Sequence, residues 1–286
     1  MIMQVISENV SGKLMHKAIL IMSTSTAFGT LGIYGMSAAL AKANFKLTFL
    51  VGAIILIISA SIWFLFYKKG NYLFEYKTEK KRNENRDRRI GYALLAPIAL
   101  LVLFSVITNF AKDGLQTWMP VILKKLNEMP DNLSILLTLV LPLFGIFGSV
   151  FAVVMNRKIK KIIPLTMMFF LLVAAFETIV IIFQASLVIT LVALGVLELL
   201  LHGISNILSS IFPLRMREEI SSGTLAGILN GSAYVGSAAS SYVFGKIADI
   251  SGWNAVFIIL LGAVCSALVF GTIYWLLASK KEALEV

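Results

Sequence analysis

The sequence predicts an all-α integral membrane protein with eight transmembrane helices, and three observations lead to that fold class. Of its 286 residues, 58% are hydrophobic and 14% charged, which leaves too little polar surface to cover a water-soluble globule of this length. The apolar residues gather into eight runs, each long enough to approach the roughly 20 residues that cross about 30 Å of hydrocarbon. The cations sit in short groups at the ends of those runs, where they fix orientation. Lipid offers the backbone no hydrogen-bond partner, so the spanning runs must satisfy themselves as helices.

The spans are expected at about 17 to 40, 46 to 67, 90 to 123, 132 to 155, 162 to 184, 186 to 212, 221 to 250 and 253 to 278. The third is long for a bilayer, and Gly114 with Pro120 predicts a kink or break near its end. Between the second and third spans runs Lys68 to Arg89, with nine Lys or Arg and four acids and no apolar periodicity. It reads as a solvated cytoplasmic linker. The expected domains are therefore 1–67 with two helices, the linker 68–89, and 90–286 with six helices.

Eight spans place both termini on one side, and the positive-inside rule selects which. One side collects 19 of the 25 cations, including the linker, Arg157 to Lys161, Arg215 with Arg217, and Lys280 with Lys281. The other side holds Lys42, Lys46, Lys124, Lys125 and Lys246. Both termini are expected to face the cytoplasm, in a multi-pass protein of the plasma membrane. The net charge of +10 is thereby explained by topology, and no nucleic-acid partner is expected. A single cysteine, Cys265, allows no intrachain disulfide. Residues 1 to 17 lack the apolar stretch of a cleavable signal peptide.

An ionised side chain at mid-membrane is costly, by some scales about 2.5 to 3.5 kcal/mol, so it faces a water-filled cavity or a partner. On the third span Ser105, Asn109, Lys112 and Gln116 recur at helical spacing as one polar stripe that ends beside Trp118. Lys112 either lines a cavity on this stripe or snorkels to the outer surface. Asp113 lies about 100 degrees round the helix from it, placed either to pair with a neighbouring helix or to bind a solute or proton. The sixth span offers Glu198, His202 and Asn206 at i, i+4 and i+8. A carboxylate holding an imidazole suits proton relay, and equally a mutually satisfied polar pair. Two ligands are too few for a structural metal site, and neither metal nor cofactor is expected. Glu177 on the fifth span has only Gln184 near its face and is expected to contact another helix. On the seventh span Asn230, Tyr234, Ser237 and Ser241 form a polar face. Gly223, Gly227 and Gly231 give G-x-x-x-G-x-x-x-G there, expected to serve close packing.

A faint internal repeat joins the ends of the chain. Glu8, Ser11, Gly12 and Leu14 precede the first span as Glu219, Ser222, Gly223 and Leu225 precede the seventh, at a constant offset of 211. Leu50, Gly52 and Ala53 fall on Leu260, Gly262 and Ala263 at offset 210. A parallel repeat of six helices follows, the arrangement of the two halves of major facilitator transporters. The chain resembles that superfamily over essentially its whole length, as helices five to twelve of twelve, an incomplete major facilitator fold with about four helices expected upstream. Met155-Asn156-Arg157-Lys158-Ile159-Lys160-Lys161 looks like a second-half copy of the family's short basic cytoplasmic loop. Lys112-Asp113-Gly114-Leu115-Gln116-Thr117-Trp118-Met119-Pro120, followed by Leu123-Lys124, is similar to the seventh-helix segment of the organophosphate:phosphate antiporter branch. In that branch an Arg at the position of Lys112 helps hold a phosphate, so the resemblance implies an anion-binding role for Lys112. The chain departs from the branch in carrying Lys there, a point charge in place of a bidentate fork.

The sequence carries no H-E-x-x-H, G-x-S-x-G, Walker-type loop or C-x-x-C, and its cytoplasmic loops are too short for an enzymatic domain. The expected function is secondary active transport of a small anionic organic solute by alternating access, the solute being held by Lys112, Asn109, Gln116, Trp118, Asn230 and Tyr234. Asp113, Glu198 and His202 are the expected coupling residues. The alternative is a non-transporting membrane sensor of a solute, or an inert gene remnant. Partners are the solute and the lipid bilayer.

Overall fold

The computed structural model describes residues 13–40, 45–82, 92–183, 186–216 and 220–284. Every element among them is helical. Gln184, Arg217, Lys42, the linker from 83 to 89, and the repeat residues Glu8, Ser11, Gly12 and Glu219 lie outside the described residues. The helices are α1 (Lys13–Leu40), α2 (Phe45–Arg82), α3 (Tyr92–Asn127), α4 (Asp131–Thr138), α5 (Val140–Lys158), α6 (Ile162–Phe183) and α7 (Leu187–Asn206). A π turn at Ile207–Ile211 carries α7 into α8 (Phe212–Arg215), and α9 (Ser222–Leu284) completes the order.

Six helices among the described residues are long and apolar enough to cross a membrane, where the sequence counts eight runs. The difference has two sources. Helix α1 is not among the six, and the last two runs form one 57-residue span, Ser222–Ala278. A straight helix of that length would measure about 85 Å. It is divided at Gly252, whose φ of 79° and ψ of 173° fall in a region essentially confined to glycine. This break lies between the expected end of the seventh run at 250 and the expected start of the eighth at 253.

Other boundaries depart from expectation for local reasons. Helix α2 continues past 67 into the basic segment as far as Arg82, a stretch rich in Lys, Glu and Arg, which are good helix formers. The fourth run is interrupted at Leu139, between α4 and α5. Helix α3 runs through Pro120 to Asn127 without the expected break. Proline has no N–H to give the carbonyl four residues earlier, here that of Gln116, and the hydroxyl of Tyr34 on α1 donates to that carbonyl at 2.7 Å instead. Near the end of the sixth run, Phe212 N–H bonds the Ile207 carbonyl five residues back. Pro213 follows directly, and the wide turn before it accommodates the donor that proline lacks.

The core lies where α3, α6, α7 and α9 meet. Phe104, Phe169, Phe170, Phe244 and Phe257 are fully buried there, with Phe104 and Phe170 edge to face at 5.2 Å. Helix α3 lies along α9, α5 against α7, and α7 against α6. Ser105 Oγ donates to the Leu229 carbonyl at 2.8 Å, and Ser237 Oγ donates to Asp113 Oδ2. Both pairs are 124 residues apart, so α3 and the first part of α9 run parallel in a fixed register.

In lipid, helices associate by close packing and polar contacts, because the acyl chains compete equally for apolar surface. Small residues mark the close approaches. A Cβ at Gly148 on α5 would collide with the Leu199 carbonyl oxygen of α7, and one at Gly236 on α9 with the Val106 carbonyl oxygen of α3. A Cβ at Gly114 would strike Phe244, so Gly114 admits an aromatic ring and does not mark a break. The G-x-x-x-G expectation is corrected at two of its three glycines. Added Cβ atoms at Gly227 and Gly231 would meet nothing within 4 Å, because that stripe of α9 faces away from its packed neighbours.

Helix α1 lies against α4 and α5. No residue of Lys46–Phe66 of α2 is buried, whereas much of Leu187–Arg215 is. Phe49, Leu56, Trp63 and Phe66 of α2 are all exposed.

Candidate polar cavity and buried carboxylate network

The parallel register of α3 and α9 sets two polar stripes face to face, and the π turn after α7 brings a third. They line an open cavity of about 310 Å³, formed by Ser105, Asn109, Lys112 and Asp113 of α3, by Ser205 and Ser209, and by Asn230, Ala233, Tyr234 and Ser237 of α9. Ser105 and Asn109 are buried, while Asn230 and Tyr234 are exposed on the far wall.

Lys112 is the cation of this cavity, its side chain only 14% exposed, so it lines the cavity and does not snorkel outward. Its Nζ lies 3.2 Å from Asp113 Oδ1. Asp113 is thus shared between its neighbour on α3 and Ser237 of α9. Among the residues lining the cavity, Lys112 and Asp113 alone carry charge, and the rest offer hydroxyls, amides and one methyl.

Four of the six expected solute-binding residues, Lys112, Asn109, Asn230 and Tyr234, line this one cavity. Gln116 and Trp118 do not. Gln116 lies one turn further along α3, where its side-chain amide donates to Glu198 Oε1. Trp118 lies against Trp253, with ring centroids 5.8 Å apart, and covers Gly245, where a Cβ would be 2.8 Å from the indole. Its indole packs the upper part of α3 against α9. Two polar lining residues, Ser205 and Ser209, are not among the candidates expected from the sequence. With Glu198 and His202 they continue one helical stripe at spacings of four, three and four, a signal the sequence does contain.

The expected coupling residues divide between two places. Asp113 lines the cavity, whereas Glu198 and His202 form a separate network. His202 Nδ1 lies 2.9 Å from Glu198 Oε1, the i, i+4 pair that the spacing predicts. Glu198 is fully buried, and its other oxygen has no hydrogen-bond partner among the described residues. The network therefore runs from Tyr34 on α1 through Gln116 on α3 to Glu198 and His202 on α7. Asn206 and Glu177 are also buried, but neither lines the cavity. Among the described residues no group of three His, Cys, Asp or Glu side chains is placed to hold a metal ion.

Six of the described helices are long and apolar enough to cross a membrane, and among them lies a cavity with hydroxyl, amide and paired charged groups. Residues 1–215 match the model of the Major Facilitator Superfamily, and the chain belongs to that superfamily. Its members are generally transporters of small solutes across membranes rather than enzymes. No curated protein matches the chain.

Proposed function

We propose that this major facilitator protein is a secondary transporter that moves a small organic solute bearing an anionic group by alternating access, with Lys112 holding that group. The observation that carries the reading is the position of Lys112: a mostly buried ammonium in a cavity where three polar stripes meet. A buried cation attracts an anion strongly, because little water screens the pair. Asn109, Asn230 and Tyr234 supply further hydrogen bonds, and the likeness of Lys112 to Pro120 to the organophosphate:phosphate antiporters supports the same sign of charge. Gln116 and Trp118 take no part in holding the solute and instead position α3.

In this reading the chain crosses the plasma membrane eight times, α1 and the two parts of α9 included, with both termini cytoplasmic and 68–89 joining a two-helix part to a six-helix part. Asp113, Glu198 and His202 carry the coupling, and exchange of solute or proton for solute drives the cycle as in an antiporter. The test is flux in sealed proteoliposomes. Lys112→Gln should abolish uptake of the anionic solute, and unchanged uptake of every anionic substrate would sink the proposal.

A further inference from the structure

Lys112 does not wait in the cavity as a lone cation. Asp113 lies 3.2 Å from it, and both line the same cavity with no other charged side chain. A plain anion arriving at Lys112 would place a second negative group beside the Asp113 carboxylate, and like charges at that distance repel. A solute that carries both signs meets no such penalty. Its carboxylate takes Lys112 while its ammonium takes Asp113, so one ion pair becomes two and no charge is left buried without a partner.

We infer that the cavity selects a small zwitterion of the α-amino-acid type, in which Lys112 holds the carboxylate and Asp113 the ammonium. The inference rests on the transport reading above and adds the solute's second charge. The Lys112–Asp113 separation favours a solute whose opposite charges sit on one carbon, since such groups come about as close together as the pair itself. Ser237 donates to one Asp113 oxygen, which aims the other toward Lys112 and the cavity. Lys112 has three N–H donors, so contact with Asp113 leaves donors for a ligand. The volume, about 310 Å³, is at the lower end of ligand sites, which run from about 300 to 1,000 Å³. Ser205, Ser209 and Tyr234 line the same cavity, and residues with hydroxyls suit a short or polar side chain.

The test reads ligand protection of the purified full chain in detergent, since a ligand that binds only the folded state raises Tm. The probes are L-alanine and L-serine, propionate as the carboxylate alone, ethylamine as the ammonium alone, and inorganic phosphate. The amino acids should raise Tm, and the singly charged analogues should not at equal concentration. Asp113→Asn should weaken alanine binding by about tenfold or more, because the ammonium of the solute loses its partner. It should also let propionate protect, because Lys112 is then free to take it. Asp113→Glu should restore alanine, which separates the assigned role from mere misfolding. If propionate or phosphate protects the native protein as well as alanine does, and Asp113→Asn changes nothing, the zwitterion assignment is wrong while anion binding stands. If Lys112→Gln leaves protection by every probe unchanged, the cavity reading fails with it. Absence of protection by all the probes also overturns the assignment.

Discussion

The Tyr34 hydroxyl supplies Gln116 with the hydrogen bond that Pro120 cannot: its oxygen lies 2.7 Å from the Gln116 carbonyl, four residues before the proline. A proline would otherwise leave that carbonyl without its helical donor. The side chain of the same glutamine donates to Glu198, so one residue of α3 is held from α1 through its backbone and from α7 through its amide. The contact lies one turn beyond Lys112, and it joins the part of the chain before the basic linker to the part after it.

Tyr34→Phe should therefore lower stability by about 1 kcal/mol, the usual net value of such a bond, and the loss should depend on Pro120. With Pro120→Ala in the background, residue 120 regains an N–H for the Gln116 carbonyl. Tyr34→Phe should then cost much less. A double-mutant cycle on thermal or denaturant unfolding measures this coupling, and additive effects would refute it.

Glu198 is fully buried against His202, and substitution separates its structural role from the proposed coupling role. Glu198→Ala leaves the imidazole and the Gln116 amide without their shared acceptor and should destabilise by about 1–3 kcal/mol. Glu198→Gln keeps the shape and one acceptor, so it should fold. In proteoliposomes that variant should retain solute exchange and lose accumulation driven by a pH gradient. Gradient-driven accumulation at native levels would remove Glu198 from the coupling path.

Two glycine positions of opposite environment test the packing. Gly148→Ala must push α5 from the Leu199 carbonyl and should cost about 1–3 kcal/mol, as overpacking does. Gly227→Ala meets nothing and should be neutral, or stabilising by up to about 1 kcal/mol through its better helix propensity. Melting of the two purified variants decides between them, and equal effects would disprove the assigned contacts.

Gly252→Ala separates backbone strain from crowding. Its added Cβ meets nothing within 4 Å, yet the φ of 79° excludes an ordinary side chain. The expected loss is about 1–3 kcal/mol. A native Tm would mean that the chain turns differently between the two parts of α9.

Much of this molecule follows from properties local to the sequence. Apolar runs and their length place the spans, so α6 was expected at 162 to 184 and occurs at Ile162–Phe183. Spacing along one helix places Asn109 beside Lys112 and Glu198 beside His202, because i, i+3 and i+4 positions share a face whatever the helix packs against. Relations between helices are different in kind. Nothing in the pattern of α9 says that Gly236 meets α3 while Gly227 and Gly231 meet nothing, since small residues permit close approach without choosing the partner. The stripe from Ser105 to Gln116 could not reveal that its last member turns to Glu198, nor Pro120 that a tyrosine more than eighty residues earlier would repair its missing bond. Hydropathy and helical periodicity establish the lipid-spanning class and the polar faces of single helices. Which faces meet is settled by packing, because in lipid that choice rests on the register of close contacts and buried hydrogen bonds, and those exist only once the helices are side by side.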